Sequence, residues 1–188
     1  MSATTDFVHD EEIVTAVLAQ LNANLPAQWT SGGNPILRAK CAQFGDLRDE
    51  QLEAGQHWRD LCPAIYVRLN RSERTAERCG LGGKEAQVVP LRLVHVRTRE
   101  QCGDPDDPET LIPPARARPQ YAKAISKALF ANRDLGNPTL TTDDASARVI
   151  ELRPKAILYE EDLGDVRFAT RHGLVALGID FEVIVRTQ

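Results

Sequence analysis

The chain has 188 residues, 42% hydrophobic and 27% charged, with a formal net charge of −4. That length is most simply one domain, spanning residues 1–188, and lets roughly 70% of the unfolded surface be buried. The small negative charge excludes a global electrostatic pull toward nucleic acid or anionic lipid. The lack of any long apolar run excludes a membrane-spanning helix.

The opening Met1-Ser2-Ala3-Thr4-Thr5-Asp6 has no basic region followed by an apolar core, so no secretory signal is expected. Helix one follows. Asp10 can cap it, and Glu11 and Glu12 suit the positive end of the helix dipole. Ile13, Val14, Val17, Leu18 and Leu21 then share one face, and Asn24-Leu25-Pro26 stops the helix. Burying each of those side chains contributes on the order of 1.5–3 kcal/mol before entropy, so this helix is expected to dock on an apolar surface. Gly32-Gly33-Asn34-Pro35 reads as a turn. Residues 46–61 read as a short polar helix offering Leu47, Leu52 and Trp58 for contacts.

From Pro63 the pattern becomes β, with Ile65, Val67 and Leu69 alternating against Tyr66 and Arg68. A polar stretch at about 70–85 carries arginines and reads as a long connecting loop. A Val- and Leu-rich strand follows from Gln87 to Arg99, with Pro90 predicting an edge, a bulge or a late start. The two strands are expected to pair as a hairpin. Residues 101–118 form a loop by composition, with prolines among aspartates. Helix two is predicted over about 119–133, with Tyr121, Ile125, Ala128 and Leu129 on one face, ended by Asp134-Leu135-Gly136-Asn137-Pro138.

The remainder is β again. Ile150, Leu152, Ala156 and Leu158 make an even-numbered apolar stripe opposite Glu151, Arg153 and Lys155, and Pro154 must interrupt the ladder. Val166 and Phe168 keep the even phase. From Val175 to Val185 every odd position is apolar: Val175, Leu177, Ile179, Phe181, Val183 and Val185. A strict period of two over that length predicts a long strand with one buried face. The phase flips near Arg171-His172-Gly173, as a bulge or tight bend would require. Strands come in runs with no helix between each pair. The expected fold is therefore α+β: a mainly antiparallel four- to five-stranded sheet with two principal helices on one face and long hairpin loops.

No catalytic signature stands out. Gly80-Leu81-Gly82-Gly83-Lys84 lacks the spacing and the following Ser or Thr of a phosphate loop and reads as a hairpin tip. The histidines His9, His57, His95 and His172 and the cysteines Cys41, Cys62, Cys79 and Cys102 match no common zinc spacing. No two cysteines form a C-x-x-C pair, and reduced structural thiols are expected. No local feature marks a cysteine as activated, and no G-x-S-x-G elbow is present. Asp104, Asp106, Asp107 and Glu109 fit a solvated acidic loop better than a calcium loop. Arg68, Arg71, Arg74, Arg78, Arg92, Arg97 and Arg99 would lie near one another on the hairpin. They would face a phosphate backbone, an acidic partner or solvent, without aromatic residues interleaved for base stacking.

The helix Ile13-Val14-x-x-Val17-Leu18-x-x-Leu21 is followed by the strand Pro63-Ala64-Ile65-Tyr66-Val67. Leu135-Gly136-Asn137-Pro138-Thr139-Leu140 follows the second helix, and Leu174-Val175-Ala176-Leu177-Gly178-Ile179-Asp180-Phe181-Glu182-Val183 comes last. In this order the chain resembles the tail terminator (tail completion) proteins of long-tailed bacteriophages. The resemblance covers most of the chain by element order and departs from the compact family pattern at 70–85 and 101–118. It implies a non-enzymatic virion structural protein without cofactor or metal, assembled in the host cytoplasm. Six copies would form a ring that caps the tail tube, stops its polymerisation and meets the head-side connector, with DNA passing through the lumen. The surfaces expected to meet neighbours are the loops and hairpin carrying Arg71, Arg74, Arg78, Lys84, Arg97, Arg99, Asp104, Asp106 and Asp107. A head-to-tail stopper or adaptor is the nearest alternative. A nucleic-acid-binding module using the Arg68–Arg99 hairpin, or a thiol or zinc enzyme using Cys62 and His57, are alternatives of other classes.

Overall fold

The alternating stripe near the end of the sequence forms the middle of a sheet. In the computed structural model, which describes residues 10–25, 62, 64–69, 75–78, 85–98, 112–141, 146–159 and 174–187, it is strand β6 (Leu174–Thr187). Strands β3 (Glu85–Thr98) and β5 (Ser146–Leu158) flank β6 and run antiparallel to it. Strand β1 (Ala64–Leu69) pairs with the second half of β3 and β2 (Thr75–Arg78) with its first residues. The short β4 (Thr139–Thr141) lies beyond β5. The six-stranded order is β1-β3-β6-β5-β4, with β2 also beside β3. Two helices, α1 (Asp10–Asn24) and α2 (Pro114–Leu129), complete an α+β fold.

The odd positions of β6 do what their period predicts. Val175, Leu177, Ile179, Phe181, Val183 and Val185 are all buried, in one cluster with Val89, Leu91 and Leu93 of β3. The apolar faces of both helices join the same cluster, through Ile13, Val17 and Leu21 of α1 and Ile125, Ala128 and Leu129 of α2. Phe130, just past α2, meets the Phe181 ring edge-on, with centroids 6.4 Å apart.

Polar groups fasten the helices. The buried Gln20 of α1 donates through Nε2 to the Leu129 carbonyl at 2.8 Å and to the Asn132 carbonyl at 2.6 Å. The Leu129 carbonyl stands at the end of α2, where a helix leaves acceptors without partners, and the Asn132 carbonyl lies in the turn just beyond. The Glu12 carboxylate accepts from the backbone N–H and the hydroxyl of Thr141, tying α1 to β4.

The turn after α2 is left-handed at three successive residues: Leu135 (φ 57°), Gly136 (φ 75°) and Asn137 (φ 58°). Glycine takes this conformation freely and asparagine readily, whereas a leucine there costs about 1–2 kcal/mol. Leu135 is buried, which offsets the cost. The Asp134 side chain accepts from the Gly136 N–H at 3.1 Å, and its carbonyl accepts from the Asn137 N–H at 2.9 Å.

Several expectations need correction. The strand β2 lies inside the stretch read as a loop at 70–85. The second helix begins at Pro114, five residues early, and ends at Leu129. Pro114 takes the first helical position, where a missing N–H is harmless, and Pro119 is carried inside the helix. Pro90 sits within β3 and not at its end. It falls between the β1 and β2 pairings, where one side of β3 has no ladder to break. The even stripe of β5 is lost, because register shifts at Ile150 and Lys155 leave Val149 and Leu152 buried and Ile150 exposed. The sheet is also not one-sided. Tyr66, Val94, Val96, Leu174 and Ala176, on the face away from the helices, are buried as well. The readings over 27–61, 101–111 and 160–173 lie outside the described residues.

Replacing Phe181 by alanine is expected to cost about 3–5 kcal/mol, a large part of a typical domain stability of about 5–15 kcal/mol. Urea unfolding would show it, and an unchanged midpoint would mean the core lies elsewhere. Gln20→Leu should cost about 1–3 kcal/mol, because the Leu129 carbonyl loses the Gln20 donor and the Asn132 carbonyl keeps only the Leu135 N–H, while the volume is kept.

Candidate functional site

Two features of the described residues offer more than packing. One is the outer rim of β5. The other is a cluster of polar side chains under α2.

On the rim, the exposed large hydrophobic residues are Ile150, Ile157 and Tyr159, with 38%, 45% and 40% of their surface accessible. All three belong to β5 or its immediate end. Their exposure follows from local geometry. Each register shift turns the strand by one residue, so Ile150 leaves the core side, while Ile157 comes opposite Ile179 on the helix-bearing face and is only partly covered there. β4 pairs only with Ser146, Ala147 and Arg148. Further along, the Leu152 N–H is taken by the Arg133 carbonyl at 2.6 Å. Pro154 has no N–H to give. Main-chain addition of a foreign strand is therefore obstructed along the centre of β5, a common protection of sheet edges. What remains is the apolar run Ala156-Ile157-Leu158-Tyr159, which offers side chains more than hydrogen bonds. Lys155, next to it, is held by Glu182 of β6 at 2.9 Å.

Beneath α2, Arg97 of β3 is only 8% exposed. Its guanidinium carbon lies 4.1 Å from the centre of the Tyr121 ring, a cation–π contact. Its Nε donates to Nε2 of His95 at 3.1 Å. The His95 and Tyr121 rings are 5.1 Å apart and tilted by 47°. Burial, and then the Arg97 charge, push the His95 ionisation well below the usual histidine range. Near neutral pH His95 is therefore uncharged, with its proton on Nδ1, because Nε2 is accepting. The Cys62 thiol is also close to Arg97. Burial pushes its pKa up to about 12, with the arginine pulling the other way. A thiol so placed stays protonated at neutral pH and is a poor nucleophile.

The arginines of the hairpin do not make one patch. Arg97 faces α2, whereas Arg92 lies on the opposite face of β3 and grips Asp180 of β6 through two hydrogen bonds of 2.6 and 2.9 Å. Arg78 falls in β2, in register with Glu85. Arg71, Arg74, Lys84, Arg99, Asp104, Asp106 and Asp107 lie outside the described residues, as do His57 and Cys79. Sequence reasoning missed the rim of β5. Its signal was the unbroken run 156–159, which departs from alternation just after Pro154. The meeting of Arg97 with Tyr121 joins residues far apart in the chain and left no local signal. Among the described residues, no three His, Cys, Asp or Glu side chains converge as metal ligands. No described helix is long and apolar enough to cross a membrane.

No protein-family profile matches the chain, and no curated protein matches it. Among solved structures, the chain is similar to one described as part of the virion of a native gene transfer agent particle. The two are 12% identical, the match covers 67% of this chain and 71% of that one, and the TM-score is 0.35. Likeness at that level establishes neither a common fold nor a common role.

Proposed function

We propose that the chain is a virion structural protein: a ring-forming tail terminator that caps the tail tube, stops its polymerisation and joins the tail to the head-side connector. The observation that carries this reading is the exposed apolar rim at Ile157 and Tyr159, set on a rigid sheet whose main-chain edge is obstructed. Each such side chain gains on the order of 1.5–3 kcal/mol when a neighbour covers it. A rim that meets a different patch on the next copy makes a heterologous contact, and such contacts close into rings when the rotation allows. The order of helices and strands, which resembles that of tail terminators, gives the ring its proposed place at the end of a tail tube. Its partners are then further copies of itself, the tail tube protein and the head-side connector. Association through shape and repetition calls for no cofactor.

Light scattering coupled to size-exclusion chromatography, with and without purified tail tubes, tests the reading. The parent protein should multimerise alone or on the tubes and block further tube growth. Ile157→Glu should weaken assembly while leaving the unfolding midpoint within the small range usual for surface substitutions, about ±0.5 kcal/mol. A parent that stays monomeric and ignores the tubes would overturn the terminator role. A variant that assembles like the parent would remove the rim as the contact.

A further inference from the structure

The outer face of α2 is a third surface, and packing does not account for its charge. α2 carries Arg116, Arg118, Lys123 and Lys127 and no carboxylate along its whole length. Its apolar side faces the core through Ile125, Ala128 and Leu129. At about 100° per residue, Arg116, Lys123 and Lys127 fall within about 40° of one another on the opposite side, in a stripe about 16 Å long. All three are exposed, whereas Arg118 lies on the core side and is half-buried. Among the described residues, no ion pair ties Arg116, Lys123 or Lys127 to a carboxylate. Of the exposed positions on the neighbouring helix α1, only Glu11 is acidic. Asp134, the first acid after α2 in the chain, turns its side chain back to the Gly136 N–H. Lys123 and Lys127, four residues apart, repel each other and weaken the helix. In a chain whose formal net charge is −4, this helix is a local inversion of sign.

We propose that this face binds the phosphate backbone of double-stranded nucleic acid, without regard to sequence. The side chains around the stripe decide among polyanions. Ala115, Pro119, Ala124 and Ser126 flank it, so the surface between the cations is low and lets a backbone lie close. A protein partner is held by aromatic or large apolar anchors at the centre of its contact, and the stripe offers none. An anionic membrane takes up a helix by its apolar face, and that face of α2 is already buried in the core. Unpaired bases stack on exposed aromatic rings, and the Tyr121 ring of α2 is buried. A duplex needs only spaced cations, because it presents one charge for about every 1.7 Å of its axis. The contact needs one copy of the chain and stands whether or not a ring forms.

Fluorescence anisotropy of a labelled mixed-sequence DNA duplex, titrated with the full chain, tests it. Each cation on a phosphate adds about −0.9 to the slope of log K against log salt, so three give a slope of about −2.7 and binding about 500-fold weaker at about 200 mM than at about 20 mM salt. Lys123→Gln should flatten that slope by about 1 and weaken binding alike for every sequence. Arg116→Gln, Lys123→Gln and Lys127→Gln together should abolish binding and leave the fold intact, since all three side chains are exposed and glutamine is a good helix former. Polyglutamate, and vesicles of phosphatidylserine and phosphatidylcholine, are titrated at the same salt as the other polyanions. Light scattering on the same samples records copy number, so that failure to assemble and failure to bind are read separately. A parent that ignores the duplex at low salt would overturn the proposal. So would a folded triple variant that binds as the parent does, or a parent that prefers polyglutamate or vesicles to the duplex.

Discussion

β6 carries a ladder to β3 from Leu174 to Val185 and another to β5 from Gly178 to Thr187. Almost every backbone group along it is therefore committed, and its register decides which side chains reach the helices. A slip of one residue would bring Asp180 and Glu182 under α1 and α2 and turn Phe181 away. The face it would turn toward is also buried near Val94, Val96 and Ala176, so water exposure alone does not set the register. The pairing of Arg92 with Asp180 helps to set it. The two residues stand directly opposite each other, and their side chains bond twice. Separating a partly buried pair strands two charges, which is far more costly than the pair is stabilising.

The surroundings of β5 follow from that anchor. Because β6 is fixed, the two register shifts in β5 must be absorbed by β5 itself: the first turns Ile150 off the core side, and the second brings Ile157 opposite Ile179, where it is left partly uncovered. The turn after α2 completes the arrangement. Gln20 holds the end of α2, the left-handed residues Leu135 to Asn137 reverse the chain, and Arg133 is left with its carbonyl aimed at Leu152. Edge protection and the exposed apolar rim both sit at the two irregularities of β5, set against the continuous register of β6 with β3. The protected edge resists indiscriminate strand pairing, while the rim remains open to a partner matched in shape.

The sequence was legible where one period governs a whole element. The odd stripe of β6 and the single face of α1 were read correctly because the core buries those positions along the entire length of each element. Reading failed where a tertiary contact overruled local pattern. The even stripe of β5 was mistaken because bulges at Ile150 and Lys155 are decided by pairing with β6. The start of α2 was mistaken because proline and arginine in Pro114-Ala115-Arg116-Ala117-Arg118 look like loop, although proline is well suited to the first turn. β4 was missed because three residues carry too little periodicity to see. The burial of the second sheet face was missed too, although Tyr66 and Ala176 sit in the unbroken runs Ile65-Tyr66-Val67 and Leu174-Val175-Ala176-Leu177, because only the alternating face of each strand was counted.

Arg92 and Arg97 show why residue type alone misleads about a site. They stand five positions apart on one strand, so the pleat sends them to opposite faces. Arg92 finds a carboxylate in register and becomes a pin between strands. Arg97 meets an aromatic ring and a neutral imidazole beneath α2. Read along the sequence, both belong to one basic stretch that could face a nucleic acid. In the fold, neither charge is displayed as an open patch: one is matched by Asp180 and the other is enclosed beneath α2. Any electrostatic attraction of this hairpin for a polyanion would have to come from its other arginines. The described apolar surface that stands ready for a partner lies on the far side of β6.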